Sequence, residues 1–554
     1  MTLGDPLVIP DQFNAAAHFV DRHITEGRTS KVAIECADQR ITYVELYENV
    51  NRVGNALREL GVRIEERVVL LLLDTPEFAF SFFGAIKIGA VAVPVNTLLK
   101  PPDYEYILNN TRARVAIVSE ALFPQLNEIS KERLRYLEII VVVGEGTPPG
   151  TMSFEVLIQR ASPELNAEPT SCDDSAFWLY SSGSTGFPKA CVHLQHDMYV
   201  ASERYAKGIL HITEQDRCFS VAKLFFAYGL GNGLYFPLAV GGTSILMPGP
   251  PRPHNVFAAI ERHRPTLFFS VPSNFANLLA FQREPDSERH AVSKPGESSV
   301  PLDPKIPAAD RTTSRADFDL SSVRYAVSAG ESLPASLFHR FKQRFGVEIL
   351  DAIGSTEVLH MFIANAPGEV RPGSSGKIIP GYEARIVDEN DSPAAIGEIG
   401  NLLVKADSTC AFYWNQHEKS KNIIQGHWIR TGDKYYQDRD GYFWYAGRSD
   451  DMLKCSGVWV SPVEIESVLI EHSSVLEVAV IGKEDRDQLL KPAACVVLRD
   501  GVVGTAELAR ELQEFVVDRL PIFKRPRWVE FFPALPKTAT GKLQRFKLRE
   551  QLSN

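Results

Sequence analysis

Short apolar runs alternate with longer helix-like stretches along the first two thirds of the chain. Arg67-Val-Val-Leu-Leu-Leu-Leu73 reads as a buried strand, the apolar stretch from Glu77 to Ile88 as a helix, and Ala90-Val-Ala-Val-Pro94 as a returning strand. Val115-Ala-Ile-Val118, Glu138-Ile-Ile-Val-Val-Val143, Ala176 to Leu179, Thr266-Leu-Phe-Phe-Ser-Val271 and Val323-Arg-Tyr-Ala-Val327 continue the series. Strands this uniformly apolar are covered on both faces, so the pattern predicts parallel α/β architecture. Residues 283 to 319 break it. They are rich in Pro, Ser and charged residues with few large apolar groups, and are expected to form a flexible insertion between two core strands, either a docking loop or a tolerated surface excursion.

Near residue 450 the chain changes character. A fresh helix and strand, Pro462 to Ile470 and Leu476 to Ile481, are followed by the strand Ala493-Ala-Cys-Val-Val-Leu498 and the helix-like stretch Ala506 to Leu520. The expected division is a large α/β domain over 1–449 and a small α+β domain over 450–554, within ordinary domain sizes.

Composition narrows the class. The 554 residues are 44% apolar, enough for a sizeable interior in more than one domain. A net charge of -10 without a basic stripe argues against a nucleic-acid partner or an anionic membrane surface. The seven cysteines show no close pairs and no metal-ligand spacing, so they read as reduced thiols, with the cytoplasm as the expected compartment. The first residues, Met1-Thr-Leu-Gly-Asp-Pro, lack the features of an export signal, and no apolar run approaches the roughly 20 residues that cross a bilayer.

The candidate chemistry begins at Tyr180-Ser-Ser-Gly-Ser-Thr-Gly-Phe-Pro-Lys189, directly after the strand-like Ala176 to Leu179. Gly183 and Gly186 let the backbone approach phosphate oxygens, Ser181, Ser182, Ser184 and Thr185 add hydroxyl donors, and Lys189 adds a point charge. A Walker loop needs four residues between its glycines and then Lys-Ser/Thr opening a helix, which this segment lacks.

This loop resembles the phosphate loop of the AMP-forming acyl- and aryl-CoA synthetase (adenylate-forming) superfamily. Four further blocks occur in that family's order: Gly354-Ser-Thr-Glu357, Trp428-Ile-Arg-Thr-Gly-Asp433, Gly447-Arg-Ser-Asp-Asp-Met-Leu-Lys-Cys-Ser-Gly457 and Pro536-Lys-Thr-Ala-Thr-Gly-Lys542. Lys223-Leu-Phe-Phe-Ala-Tyr-Gly-Leu-Gly231 and Ser328-Ala-Gly-Glu-Ser-Leu333 resemble the benzoate-CoA ligase branch. The resemblance implies a large multi-sheet N-terminal domain and a mobile C-terminal domain that swings about Asp450. It implies ATP, Mg²⁺ and CoA as co-substrates and cofactor, an acyl-adenylate intermediate, and one site serving two half-reactions.

On that resemblance, Ser184, Thr185 and Lys189 would hold the β- and γ-phosphates, Glu357 would supply the carboxylate for Mg²⁺, and Thr356 would contact the α-phosphate. Ser328, Ala329, Gly330 and Glu331, with Asp351, Ala352, Ile353, Gly354 and Ser355, would receive the nucleoside, and Asp351 is the candidate partner of the adenine amino group. The family's usual aromatic before Gly354 is replaced here by Ile353. Asp433 and Arg448 would bind the ribose hydroxyls, although Asp433 read alone fits a turn residue before the hairpin 436 to 445. Lys542 matches the lysine of adenylate formation. Gly457 resembles the glycine of the pantetheine passage, and Phe523 and Arg525 the positions at the CoA nucleotide end. Phe226, Ala227 and Tyr228, with Gly330, Ile353, Leu359 and His360, would set the acid, a planar ring in an aromatic slot.

The expected activity is therefore an ATP-dependent aryl acid:CoA ligase acting on benzoate or a substituted benzoate. Other readings are an adenylation enzyme that loads a carrier protein, an acyl-CoA synthetase for an aliphatic acid, and a nucleotide-binding protein without turnover. Assembly as a homodimer stays open.

Overall fold

The computed structural model describes residues 4–181, 188–282, 318–449, 451–455, 458–486, 490–537 and 543–553. An eight-stranded sheet carries, in order, Phe412–Tyr413, Lys189–Leu194, Ser175–Ser181, Val91–Pro94, Arg67–Leu71, Val115–Ser119, Ile139–Val143 and Met152–Ser153. Its strands run parallel from Ser175–Ser181 to Met152–Ser153, as their apolar runs predict, while Lys189–Leu194 and Phe412–Tyr413 add antiparallel pairings at the other edge.

The second sheet is nine-stranded and again parallel through its middle: Ile349–Gly354, Tyr325–Ser328, Leu267–Ser270, Arg217–Ser220, Thr243–Leu246 and Val32–Cys36. A third sheet departs from the parallel reading. Glu383–Val387, Gly400–Lys405, Trp428–Gln437, Ile424–Gln425 and Phe443–Arg448 pair antiparallel throughout, because short connections such as 438–442 leave no room for the crossover helix that a parallel pair requires.

Helices cover the sheets closely. Tyr43–Glu59 is opened by a capping box, Thr42 receiving the Glu45 amide and Glu45 the Thr42 amide. It packs on Pro76–Lys87, in which every residue but Glu77 is buried. Two glycines allow the approach: a Cβ on Gly84 would lie 2.8 Å from Val53 Cγ1 and 3.1 Å from the Val50 carbonyl. The described chain resumes at Phe318, which is buried and stacks on Phe257 at 3.8 Å, so Phe318 belongs to the core and not to the expected insertion, while the exposed Asp319 accepts the Ser321 amide at 2.8 Å. The rest of that insertion, 283–317, lies outside the described residues.

Beyond residue 450, Val475–Glu484 and Leu490–Leu498 pair antiparallel and Trp528–Phe531 joins in parallel. Helix Ala506–Val517 is capped by Thr505 and buries Leu508, Leu512 and Val516, one four-residue stripe. Two apolar clusters of this segment draw only on residues between 453 and 552. Among the described residues no helix is long and apolar enough to cross a membrane.

Three buried histidines make stability depend on pH. Burial, then nearby cations, lowers His18 to about 3 and His23 to about 4, and burial lowers His360 to about 3. Each is neutral when folded but takes up a proton below about 6.5 once unfolded, so stability is complete above that pH and is lost as pH falls toward 4. The melting temperature should therefore drop between pH 6.5 and 4, and His18→Gln should flatten that slope.

Candidate active site

The serine-rich segment joins two antiparallel strands, with Ser181 in register with Lys189. Lys189 thus opens a strand and not a helix, which explains why the sequence lacks the helix-opening end of a Walker loop. Ser182, Gly183, Ser184, Thr185 and Gly186 lie outside the described residues. At the base, the Lys189 ammonium sits 4.5 Å above the ring of Tyr413 and 3.5 Å from its hydroxyl. That hydroxyl donates to Glu357 Oε1 at 2.7 Å, and the Ser181 hydroxyl reaches the same oxygen at 3.4 Å. Residues 176 positions apart are joined here because the phosphate hairpin and the Gly354-Ser-Thr-Glu357 turn meet between the two large sheets.

The Glu357 turn is held from several sides. Gly354 ends its strand where a Cβ would lie 2.4 Å from the His360 carbonyl. Ser355 Oγ accepts the Val358 amide at 3.3 Å, the Cys410 amide donates to the Glu357 carbonyl at 2.7 Å, and Leu359 adopts φ 68°. His193 Nε2 donates to the Thr356 carbonyl at 2.8 Å, while its Nδ1 faces Asp197 Oδ2 at 2.7 Å, and both side chains are fully buried. Tyr413, His193 and Asp197 escaped the sequence reading. The one legible signal was a histidine that interrupts the apolar run after Lys189, with an aspartate four residues on.

The nucleoside motifs lie at neighbouring strand ends, with Ser328 in register with Asp351 on parallel strands. This carboxyl end of a parallel sheet is where α/β folds take ligands. Gly330 has φ +91° and only Val271 near its missing Cβ, at 3.8 Å, leaving open space for a flat group. Burial holds the Asp351 carboxyl well above the usual carboxylate range. Asp433 lies inside the strand Trp428–Gln437, in register with Arg448, and not at the turn. The Arg448 guanidinium donates to Asp433 Oδ1 at 3.0 Å and to the Thr431 carbonyl at 3.1 Å. Gly432, at φ +75°, makes room: a Cβ there would stand 2.7 Å from Arg448 Nη2.

For the acid, Phe226 precedes the buried turn Ala227–Leu230, and the Tyr228 hydroxyl donates to the Ser270 and Val327 carbonyls at 3.1 and 3.0 Å. His360 is enclosed by the rings of Phe236, Tyr205 and Tyr228 at 4.4, 5.3 and 6.0 Å, and Gly231 passes so close that a Cβ would lie 2.5 Å from the imidazole. The amide of Asn232 and the hydroxyls of Tyr205 and Tyr235 are buried beside it without protein partners.

Arg525 is exposed, with a long contact of 3.5 Å to Gln513. The Phe523 side chain, Asp450, Gly457 and Lys542 lie outside the described residues. A second grouping of metal-type ligands, Cys172, Asp173 and His196, does not make a centre, since His196 Nδ1 carries a proton toward the Cys172 carbonyl at 2.8 Å. Glu357, by contrast, offers a hard oxygen donor beside a lysine and a serine, the donor set that suits a phosphate-bridging Mg²⁺.

Residues 21–414 match the AMP-binding enzyme family and residues 464–542 the AMP-binding enzyme C-terminal domain. The chain is 45% identical to the benzoate–CoA ligase of Thauera aromatica over 98% of this chain and 96% of that one. It is 41% identical to the 4-hydroxybenzoate–CoA/benzoate–CoA ligase of Rhodopseudomonas palustris over 97% and 94%. Among solved structures, an anthranilate CoA ligase in complex with anthranoyl-AMP superposes with a TM-score of 0.89 at 42% identity, covering 100% of this chain and 99% of that one. A benzoate CoA ligase from Burkholderia xenovorans LB400 follows with 0.83 at 44%, covering 97% and 100%.

Proposed function

Since this chain belongs to the AMP-binding enzyme family, we propose that it activates benzoate or a simply substituted benzoate as an acyl-adenylate and transfers the acyl group to CoA. The observation that supports the assignment of roles is the meeting of two separate motifs: Ser181 of the serine-rich segment touches Glu357, and Tyr413 touches both Glu357 and Lys189.

Carboxylates are poor electrophiles. In the first half-reaction a carboxylate oxygen of the acid attacks the α-phosphorus of ATP and pyrophosphate leaves. The demand is for charge neutralisation and in-line placement more than for proton transfer. Lys189 and the loop hydroxyls hold the terminal phosphates, Thr356 the α-phosphate, and Asp433 with Arg448 the ribose. Glu357 would hold the Mg²⁺, which supplies neutralisation of phosphate oxygens when bound. Lys542 stabilises charge developing between carboxylate and α-phosphorus. In the second half-reaction the CoA thiol, delivered past Gly457 with its nucleotide end near Phe523 and Arg525, attacks the acyl carbon and AMP leaves. Residues 450–554 act as the unit that presents Lys542 and then Gly457, hinged at Asp450. We place the enzyme in the cytoplasm on its described cysteines, all free thiols.

The small Ala227 next to the aromatic Tyr228, and the absence of any described atom closer than 3.8 Å to a Cβ on Gly330, favour a ring. The unpartnered Asn232, Tyr205 and Tyr235 groups beside His360 favour tolerance of a hydroxyl or amino substituent, since a buried polar group without a partner is costly. The deciding assay is AMP release with and without CoA for benzoate, hydroxy- and aminobenzoates, acetate, propionate and octanoate. Benzoates should lead and thioester should require CoA. Adenylate formation indifferent to CoA supports the carrier-protein reading, preference for octanoate or acetate supports an aliphatic synthetase, and absent pyrophosphate exchange removes the enzyme assignment.

One substitution tests the slot. Ala227→Phe should overfill it, costing the ring roughly 1 to 3 kcal/mol, the usual penalty of overpacking. The kcat/KM for benzoate should fall about 5- to 150-fold by that penalty while propionate changes less. Equal loss of both substrates would place the aryl pocket elsewhere.

A further inference from the structure

Tyr413 belongs to none of the motifs that carry the reaction, yet it touches two of them. Its strand Phe412–Tyr413 pairs antiparallel with Lys189–Leu194, Tyr413 opposite Cys191, so Lys189 lies two residues along on the same face. From there the phenol reaches Glu357 Oε1 at 2.7 Å and Lys189 Nζ at 3.5 Å. The same segment takes hold of the Glu357 main chain through the Cys410 amide at 2.7 Å. Tyr413 itself is fixed: its ring is buried, its amide donates to Ser420 Oγ at 3.0 Å, and the next residue's amide donates to the Ala190 carbonyl at 2.9 Å.

A carboxylate with one oxygen tied to a rigid donor presents the other in a defined direction. We propose that Tyr413 is a positioning residue that holds Glu357 Oε1 and thereby aims Oε2 at the Mg²⁺ of the ATP complex, while its ring keeps the Lys189 ammonium over the β- and γ-phosphate position. The inference rests on the reading of Glu357 as the metal carboxylate. Outer partners of metal-binding groups commonly control metal affinity without touching the metal.

Tyr413→Phe keeps the ring and removes the hydroxyl, and with it the donation to Glu357 and the long 3.5 Å contact accepted from Lys189. Its effect is read in two ways: the Mg²⁺ dependence of benzoate-dependent ATP–pyrophosphate exchange, and calorimetric binding of ATP with Mn²⁺ and without metal. The half-saturating Mg²⁺ concentration should rise about 10- to 100-fold, as for loss of an outer-shell partner, with exchange largely restored at saturating Mg²⁺. Mn²⁺–ATP should bind more weakly, whereas metal-free ATP should bind as in wild type, since the ring under Lys189 is retained. In Glu357→Gln the added Tyr413→Phe change should have little further effect on either readout. An unchanged Mg²⁺ requirement, or an equal loss of metal-free ATP binding, overturns the role. If Glu357→Gln itself leaves the metal requirement unaltered, the underlying assignment of Glu357 fails, an outcome distinct from failure of Tyr413. Should the Phe variant melt below assay temperature, Tyr413→Met, which lacks both the donor and the ring, should still raise the half-saturating Mg²⁺ concentration about 10- to 100-fold, and an unchanged requirement there overturns the role.

Discussion

Lys542→Ala should lower adenylate formation by about 10²- to 10³-fold or more, the effect of removing one preorganised charge-stabilising donor. Conversion of supplied benzoyl-adenylate and CoA to thioester should survive. The split follows from where charge develops: attack on the α-phosphorus concentrates negative charge between two anions, whereas in the proposed cycle thiol attack on the activated acyl group uses a different face of residues 450–554. Lys542 sits in the Thr-Ala-Thr-Gly-Lys motif of a segment matching the family's C-terminal domain. Pyrophosphate exchange and single-turnover thioester formation, measured side by side, read the two steps. Equal loss in both would remove the division of labour.

Asp433→Ala should be the other large effect. The carboxylate lies opposite Arg448, and under the proposed function it accepts two ribose hydroxyls. Hydrogen bonds to a charged acceptor contribute about 1.5 to 3 kcal/mol each, so kcat/KM for ATP should fall roughly 10²- to 10⁴-fold. Part of that loss reflects Arg448 left without its partner at 3.0 Å. Ribose analogues separate the two contributions: wild type should discriminate strongly against 2′-deoxy- and 3′-deoxy-ATP, and Asp433→Ala should discriminate little. A variant that still prefers ATP over both analogues by the wild-type margin would show that Asp433 serves only the hairpin.

The parallel cores were legible because buried strands need continuous apolar runs, and Arg67 to Leu71, Val115 to Val118 and Leu267 to Ser270 have them. The antiparallel sheet of residues 383–448 was not, apart from its last hairpin, because strands exposed on one face carry mixed patterns such as Glu383-Ala-Arg-Ile-Val387 that resemble loops. Phe318 was swept into the polar insertion for a similar reason: a single aromatic in polar company shows no period, and only its stack on Phe257 reveals burial.

At the site the division is sharper. Side-chain chemistry at fixed local spacing is a one-dimensional property, so the sequence by itself determined the phosphate loop with Lys189, the Glu357 turn, Asp433 and Lys542 as candidates, along with the adenylate-forming reaction they imply. Contacts between distant segments are set by sheet order and register. Only the tertiary structure decided that Asp433 faces Arg448 inside a strand pair, that His193 supports the Thr356 carbonyl, and that Tyr413, an unremarkable aromatic in sequence, stands between Lys189 and Glu357. The physical reason is that a hydrogen bond depends on a few tenths of an ångström between groups up to 224 residues apart, a distance the packing of two sheets sets and local sequence does not encode.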